Sequence, residues 1–261
     1  MPSRAMLEAG LTGNLFLDTL PLDSASRILP FLERSEAATG TPIATSGAAI
    51  EHAIFPIGSV VSAVAHMRDG SDVEIALIGR EGFYGTVLVL GASISTSEAM
   101  VQIPNALYRM RAADFCRCLA EDETFRNRAL RYVAASIDAI SQFSACNRLH
   151  PIDQRAARWL LMAHDRVPTD YILLTHEYLA TMLGVRRPGV SVAAAELERL
   201  ELISYHRGRI LVTNRPGLEA ASCECYNVAN DALYRLLGYD VRKGARHANG
   251  LATGTYDSRQ T

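Results

Sequence analysis

The chain has 261 residues, 49% of them hydrophobic and 21% charged, with a formal net charge of −2. That composition excludes a disordered polymer and leaves length enough for one or two hydrophobic cores. No apolar run approaches the roughly 20 residues of a membrane span, and Glu8 and Asp18 interrupt the leucines around them (Leu7, Leu11, Leu15, Leu17 and Leu20), so no continuous signal-peptide core is present.

Residues 14 to about 36 carry leucines at helical spacing, broken by Pro21 and Pro30. From 40 to 112 the period becomes strand-like. VEIAL (73–77), AMVQI (99–103) and ALYRM (106–110) alternate, with Val73, Ile75 and Leu77 on one side of the first. Asp69-Gly70 suits a two-residue hairpin loop, and Gly79, Gly82 and Gly85 crowd the next bend. The pattern predicts a small antiparallel barrel or sandwich. A long helix follows over about 121–150, ended by Pro151. Within it Leu130, Val133, Ile137, Ile140, Ser144 and Asn147 recur at the three-four spacing of a coiled-coil seam. Packing of this stripe on its own barrel is the alternative; dimerisation is the reading adopted. IDQRAARWLLMAHDR (152–166) is amphipathic, with Ile152, Ala156, Trp159 and Leu160 recurring, and a loop with Pro168 and Asp170 follows.

Thr175 then precedes HEYLATML and suits an N-cap. Gly184 permits the left-handed residue that ends that helix, and Pro188 fits the first turn of the next. Helix, glycine turn and helix make a helix-turn-helix, whose second helix presents its N-terminus to a DNA major groove. Arg186 and Arg187 stand at that entrance. A guanidinium can bond guanine O6 and N7 in parallel or clamp a phosphate. Farther along, Ser191 is placed to reach a backbone oxygen, and Ala193, Ala194, Ala195 and Leu197 form the expected packed face. ISYHRGRILV (203–212) reads as a hairpin tipped at Arg207-Gly208, the expected wing. Between 184 and 215, Arg186, Arg187, Arg199, Arg207, Arg209 and Arg215 face Glu196, Glu198 and Glu201, a local net charge of +3 in an acidic chain. Adjacent surface arginines are ordinarily only solvated. Here they follow a capped helix and a glycine turn and are backed by a basic hairpin, which favours DNA contact.

The order of these segments resembles the Crp/Fnr family of bacterial transcription regulators over nearly all of 14–226. The resemblance is carried by LTHEYLATMLGVRRPGVS, LISYHRGRILV, FPIGSVVSAV and IGREGFYGT. It implies an α+β fold: an N-terminal antiparallel β-barrel of cyclic-nucleotide-binding type, a cupin-like jelly roll, over 14–120; a dimerisation helix over 121–150; and a winged helix-turn-helix over 151–226. The segment 241–261, rich in Gly, Ala and Thr, is expected to be disordered. The function implied is transcription regulation by a cytoplasmic homodimer on a pseudo-palindromic operator. Its DNA-contacting residues are expected to be Thr175, Arg186, Arg187, Gly189, Ser191, Arg207 and Arg209, and its dimer face Leu130, Val133, Ile137, Ile140 and Ser144. Double-stranded DNA and a second copy are the expected partners; RNA polymerase and an unidentified small-molecule effector are further candidates, and no membrane is expected.

By the same resemblance, Arg187 aligns with the arginine that reads guanine in cyclic-AMP-responsive members. Pro188 replaces their base-reading glutamate, and Val192 a second arginine, so the operator should differ. In the sensory half, Thr86 stands at the position of the ribose-binding glutamate. Ser97 stands at that of the phosphate-binding arginine, with Glu98 beside it. Cyclic AMP is therefore expected to bind weakly or not at all. Gly82, Tyr84, Gly85, Thr86 and Ser97 are the candidate effector pocket, with turns of the barrel as the plainer reading of the glycines.

Five cysteines, an odd set, point to a reducing compartment. Cys116 with Cys118, and Cys223 with Cys225, would together offer four thiolates, but not at the spacings of known zinc fingers; burial as small apolar residues is preferred, and no metal or cofactor is expected. His52 and His66 read as ordinary strand residues. No GxSxG, HExxH, P-loop or dinucleotide fingerprint suggests an enzyme. The remaining alternative is a barrel sensor or scaffold whose helix-turn-helix contacts protein instead of DNA.

Overall fold

The computed structural model describes residues 12–244. Helix α1 (Leu15–Asp18) is capped by Asn14, whose carboxamide accepts from Leu17 N–H and donates to the carbonyls of Pro56 and Gly82, pinning the chain to the strands beside it. Helix α2 (Leu22–Ile28) and a 3₁₀ turn (Leu29–Phe31) follow. Seven strands then form two antiparallel sheets. One has the order β1-β7-β3 (Glu33–Ala37, Asn105–Arg111, His52–Pro56). The other has the order β2-β6-β4-β5 (Pro42–Ala44, Glu98–Ile103, Val60–His66, Asp72–Ile78). Their inner faces share one core, and among the described residues no ladder closes them into a ring.

Two local expectations change here. The β4–β5 hairpin has three loop residues, not two, because Met67 N–H already pairs with Ser71 C=O, and Gly70 takes the left-handed position (φ +82°) that such a loop requires. A register shift between Ala63 and Val64 breaks the pleat against β5, and Ile75 ends up exposed.

After a short helix α3 (Thr86–Val89), the chain forms α4 (Ala112–Glu121), a helix within the span expected of the barrel. It then turns at Asp122 into α5 (Glu123–Leu149), 27 residues and about 40 Å long. Asp122 accepts from Phe125 N–H and pairs with Arg27 at 3.0 Å. The first half of α5 is embedded in rings: Phe83 lies 5.0 Å from Phe16, 5.2 Å from Phe115 and 4.9 Å from Tyr132, in the tilted and edge contacts aromatic pairs prefer. Its second half leaves this core.

Helix α6 (Ile152–Arg166), expected to be amphipathic, is buried nearly all round, polar residues included. It lies among the β4–β5 sheet and the helices that follow, and its core residues join Val60, Val64 and Leu77 in one cluster. Next come β8 (Tyr171–Leu173), α7 (His176–Leu183), α8 (Arg187–Arg199), β9 (Ile203–His206), β10 (Arg209–Val212) and α9 (Arg215–Ala221). Strand β8, where the sequence suggests a loop, completes a sheet of order β8-β10-β9.

Beyond residue 226 the chain does not simply trail away. Helix α10 (Cys225–Leu237) packs along α5, and Leu233, Leu237 and Tyr239 join the N-terminal core, with Tyr239 hydroxyl donating to Glu81 C=O. Of the segment expected to be disordered, Val241–Gly244 is a helical turn, α11; the rest, 245–261, lies outside the described residues, as do Leu7 and Leu11. Among the described residues no helix is long and apolar enough to cross a membrane.

Candidate nucleic-acid interface

The turn between α7 and α8 is built by local chemistry. Thr175 hydroxyl accepts from Tyr178 N–H at 3.3 Å, and Gly184, at φ +60°, closes α7 as its N–H returns to Thr181 C=O. A side chain at Gly184 would also strike Val73 of β5, 2.8 Å away, so the turn needs glycine twice over. Arg186 is the residue before α8, Arg187 its first, and Pro188 sits in the first turn.

This end of α8 is electrostatically lopsided. No acidic residue occupies its first turn and no side chain caps it; Pro188 has no N–H and Gly189 N–H returns to Arg186 C=O at 3.0 Å, so the positive end of the helix dipole meets no carboxylate of its own helix. Two cations stand at that same end, an arrangement that costs about 0.3–1 kcal/mol per charge unless an anion is bound. Arg187 is 66% exposed and reaches only Glu177, 3.8 Å away, a partner that sequence spacing does not single out. Burial first, and then the charge of Arg187, hold the imidazole of His176 below its ordinary pKa. That ring stacks on Tyr205 at 4.3 Å and meets Ser191 Oγ at 3.2 Å, tying α8 to the hairpin.

The hairpin turn is as expected: Arg207 (φ +46°) and Gly208 (φ +77°) are both left-handed, the geometry of a two-residue type I′ loop. Arg207 and Arg209 are exposed, the latter 5.8 Å over the Tyr171 ring. Two other members of the arginine count belong elsewhere. Arg199 is held by Glu196 through two bonds of 2.8 and 2.6 Å. Arg215 is drawn inward to Asp165 at 2.5 Å, its side chain 12% exposed and its partner's 0%. The free basic surface is therefore Arg186, Arg187, Arg207 and Arg209.

The other named residues divide. Ser191 is half-buried on His176, and Gly189 faces Ile152, where a Cβ would come to 3.1 Å, so its value lies in letting α8 approach α6. Ala193, Ala194 and Leu197 are packed, but Ala195 is exposed, as is Val192 at 72%; both lie on the outward side with Pro188. On α5, Leu130, Ile137, Ile140 and Ser144 are exposed, whereas Val133 is buried.

Tyr84, Gly85, Thr86 and Ser97 line one cleft of about 200 Å³, open to solvent and bounded on its far side by Tyr132, Ser136 and Ile140 of α5. No cation lines it. Gly82 is not part of it; its Cα lies against the Tyr132 ring, where a Cβ would sit 2.0 Å from ring carbons. His66 is not an isolated strand residue: Asp72 at 2.5 Å and Glu98 at 3.0 Å raise its pKa through hydrogen bonds. The two C-x-C pairs do not meet either. Cys116 is exposed and Cys118 lies in the N-terminal core, while Cys223 and Cys225 cluster with Cys146.

Residues 154–221 match the family model of the Crp-like helix-turn-helix domain. No curated protein sequence matches the chain significantly. Among solved structures it is similar to a CRP-family transcriptional regulator from Thermus thermophilus (19% identity, TM-score 0.60, covering 73% of this chain and 96% of that one). It is also similar to a crp/fnr-family putative regulator from Eubacterium rectale (15%, 0.60, 77% and 94%) and to FixK2 from Bradyrhizobium japonicum (14%, 0.58, 74% and 98%). At these identities the likeness is one of fold. Residues 154–221 are thus a Crp-like helix-turn-helix domain, carried in a chain whose fold is similar to that of Crp/Fnr-family transcription regulators.

Proposed function

We propose that the chain is a sequence-specific DNA-binding transcription regulator that acts in the cytoplasm as a homodimer on a pseudo-palindromic operator, with half-sites about one helical turn apart. The observation that carries this reading is the N-terminus of α8, without a side-chain cap or an acidic first turn, where exposed Arg186 and Arg187 join a wing bearing Arg207 and Arg209. Arg187 reads a base edge; Arg186, Arg207 and Arg209 hold phosphates. Support for the dimer comes from Leu130, Ile137 and Ile140, which expose an apolar stripe on α5 beside Ile75. The cleft next to that stripe receives an effector without a phosphate-type charge, since no cation lines it. Cyclic AMP is accordingly a poor ligand, and calorimetry giving a micromolar Kd would refute that part.

Exposed Pro188 and Val192 on the outward side of α8 favour one second reading, in which this face contacts protein. Genome-wide mapping of bound sites, followed by anisotropy on the derived motif at rising salt, separates the two. A regulator gives a two-fold motif and an affinity that falls steeply and log-linearly with salt, as counterion release requires. Absence of any sequence preference would leave the protein-contact reading standing.

A further inference from the structure

Where α5 ends and α10 begins, four metal-ligating side chains converge. Cys146 lies in the last turn of α5, and His150, four residues on, is its C-cap, with its backbone N–H donating to Cys146 C=O at 3.0 Å. Cys223 and Cys225 bracket Glu224 at the entry to α10. Their ligand atoms all lie within 4.8 Å of one another. Cys146 Sγ is 3.5 Å from Cys223 Sγ, and Cys225 Sγ is 3.6 Å from His150 Nδ1. The three sulfurs are buried.

These spacings suit a single ion. With metal–sulfur bonds of about 2.3 Å and metal–nitrogen bonds of about 2.0 Å, tetrahedral ligand atoms stand about 3.5–3.8 Å apart. A polynuclear iron–sulfur core would have to fit between the ligands and push them farther apart. The surroundings are also those of a metal site. Glu224 Oε2 lies 3.3 Å from His150 Nε2, a second-sphere partner that would hold the ring proton on Nε2 and leave Nδ1, 3.6 Å from Cys225 Sγ, as the lone-pair donor. Gln142 Nε2 donates to Cys225 Sγ at 3.1 Å. Three thiolates and an imidazole around a divalent ion carry a net charge of −1, and the buried guanidiniums of Arg155 and Arg158 lie within electrostatic reach of Cys146.

We propose that Cys146, His150, Cys223 and Cys225 form a closed, four-ligand site for one zinc ion per chain. Binding replaces three S–H protons, which leave to solvent, and changes no oxidation state. A Cys₃His set with no open position is structural. Its position explains what it would hold together. His150 and Pro151 are the connector between α5 and α6, so the ion fastens that connector to the segment leaving α9 and fixes the angle at which the helix-turn-helix hangs from the long helix. The proposal does not rest on DNA binding.

The test uses the full chain, purified under reducing conditions from zinc-supplemented medium and desalted. Elemental analysis is expected to give about one zinc per chain. Exchange with cobalt(II) is expected to give the intense visible bands of a tetrahedral ion and near-ultraviolet sulfur-to-cobalt charge transfer. Cys223→Ser and Cys225→Ser lose both signals. His150→Cys keeps the ion and moves the cobalt bands to longer wavelength, a readout that mere packing damage does not produce. Cys116→Ser, outside the cluster, changes neither. A desalted wild-type chain without stoichiometric zinc, a weak octahedral cobalt spectrum, or equal zinc loss in Cys116→Ser and Cys223→Ser would each overturn the site.

Discussion

Arginines on two faces of the C-terminal half do opposite things. On the outer face, Arg186, Arg187, Arg207 and Arg209 are exposed around a helix end that has no anion of its own. On the inner face, Arg166 meets Glu81 at 3.0 Å and Arg215 meets Asp165 at 2.5 Å, both pairs nearly closed to water. Inner charges are already matched to partners from distant parts of the chain, and each pair fixes α6 against something: Arg166 against the bend after β5, Arg215 against the start of α9. Outer charges are left facing solvent by the fold, where the proposed DNA ligand would meet them. Residue type does not distinguish the two groups; a buried carboxylate within about 3 Å does, whereas the one carboxylate near Arg187, that of Glu177, is exposed and 3.8 Å away.

That contrast breaks first at Arg215. Arg215→Ala strands the Asp165 carboxylate, wholly buried, with Tyr226 hydroxyl as its remaining hydrogen-bond donor. Loss of one partner of such a pair is expected to cost about 3–5 kcal/mol in urea unfolding. A loss below about 1 kcal/mol, the range of exposed pairs, would erase the distinction between the faces.

Arg187→Ala should do the reverse. Its unfolding midpoint stays near wild type, while specific DNA affinity falls by about 1–3 kcal/mol and preference relaxes at one base position. An unchanged motif would mean that Arg187 does not read a base.

A third inner contact sharpens the comparison through pH. Glu74 of β5 accepts from Ser62 Oγ at 2.6 Å and from Trp159 Nε1 at 2.8 Å, and burial pushes its carboxyl up from 4.5 to about 7. A carboxyl whose pKa is raised by folding contributes its stability in full below the unfolded value near 4.5 and loses it as pH rises through about 7. Trp159 is the chain's single tryptophan, so its fluorescence should titrate with a midpoint near 7. In Glu74→Gln that transition should vanish; a persisting one would assign it to another group.

The smallest effect belongs to the wing. Arg207→Asn puts a residue more tolerant of φ +46° at the hairpin tip, and is expected to stabilise by a few tenths of a kcal/mol. If Arg207 holds a phosphate, the same change lowers the salt slope of DNA binding by about 1.

Much of the outer face was legible because its chemistry is local. Thr175, Gly184, Pro188 and the Arg207-Gly208 tip announce themselves through caps, left-handed residues and fixed φ, properties of a few consecutive residues. The alternating strands and the 27-residue helix were readable for the same reason, since their periods repeat over short spans. What escaped was set by long-range contact. Burial of α6 on every side depends on α7, α8, α9, α10, α11 and β8 at once, and α10 owes its place to the groove along α5. Cys146 and His150 did carry a local signal, an i, i+4 pair of ligand types at a helix end. It stayed mute because Cys223 and Cys225, the other half of the cluster, lie some seventy-five residues away in sequence.

By itself, then, the sequence determined the alternating strands, the long helix and the helix-turn-helix with its wing, because these follow from backbone preferences and hydrophobic period. Only the tertiary structure decided which arginines remain free, that Gly82 packs on Tyr132 while its neighbours line a cleft, and that four ligands meet behind the helix-turn-helix. Those outcomes depend on which distant groups arrive within about 3–4 Å, and Coulombic, hydrogen-bonding and coordination energies are decided at that range.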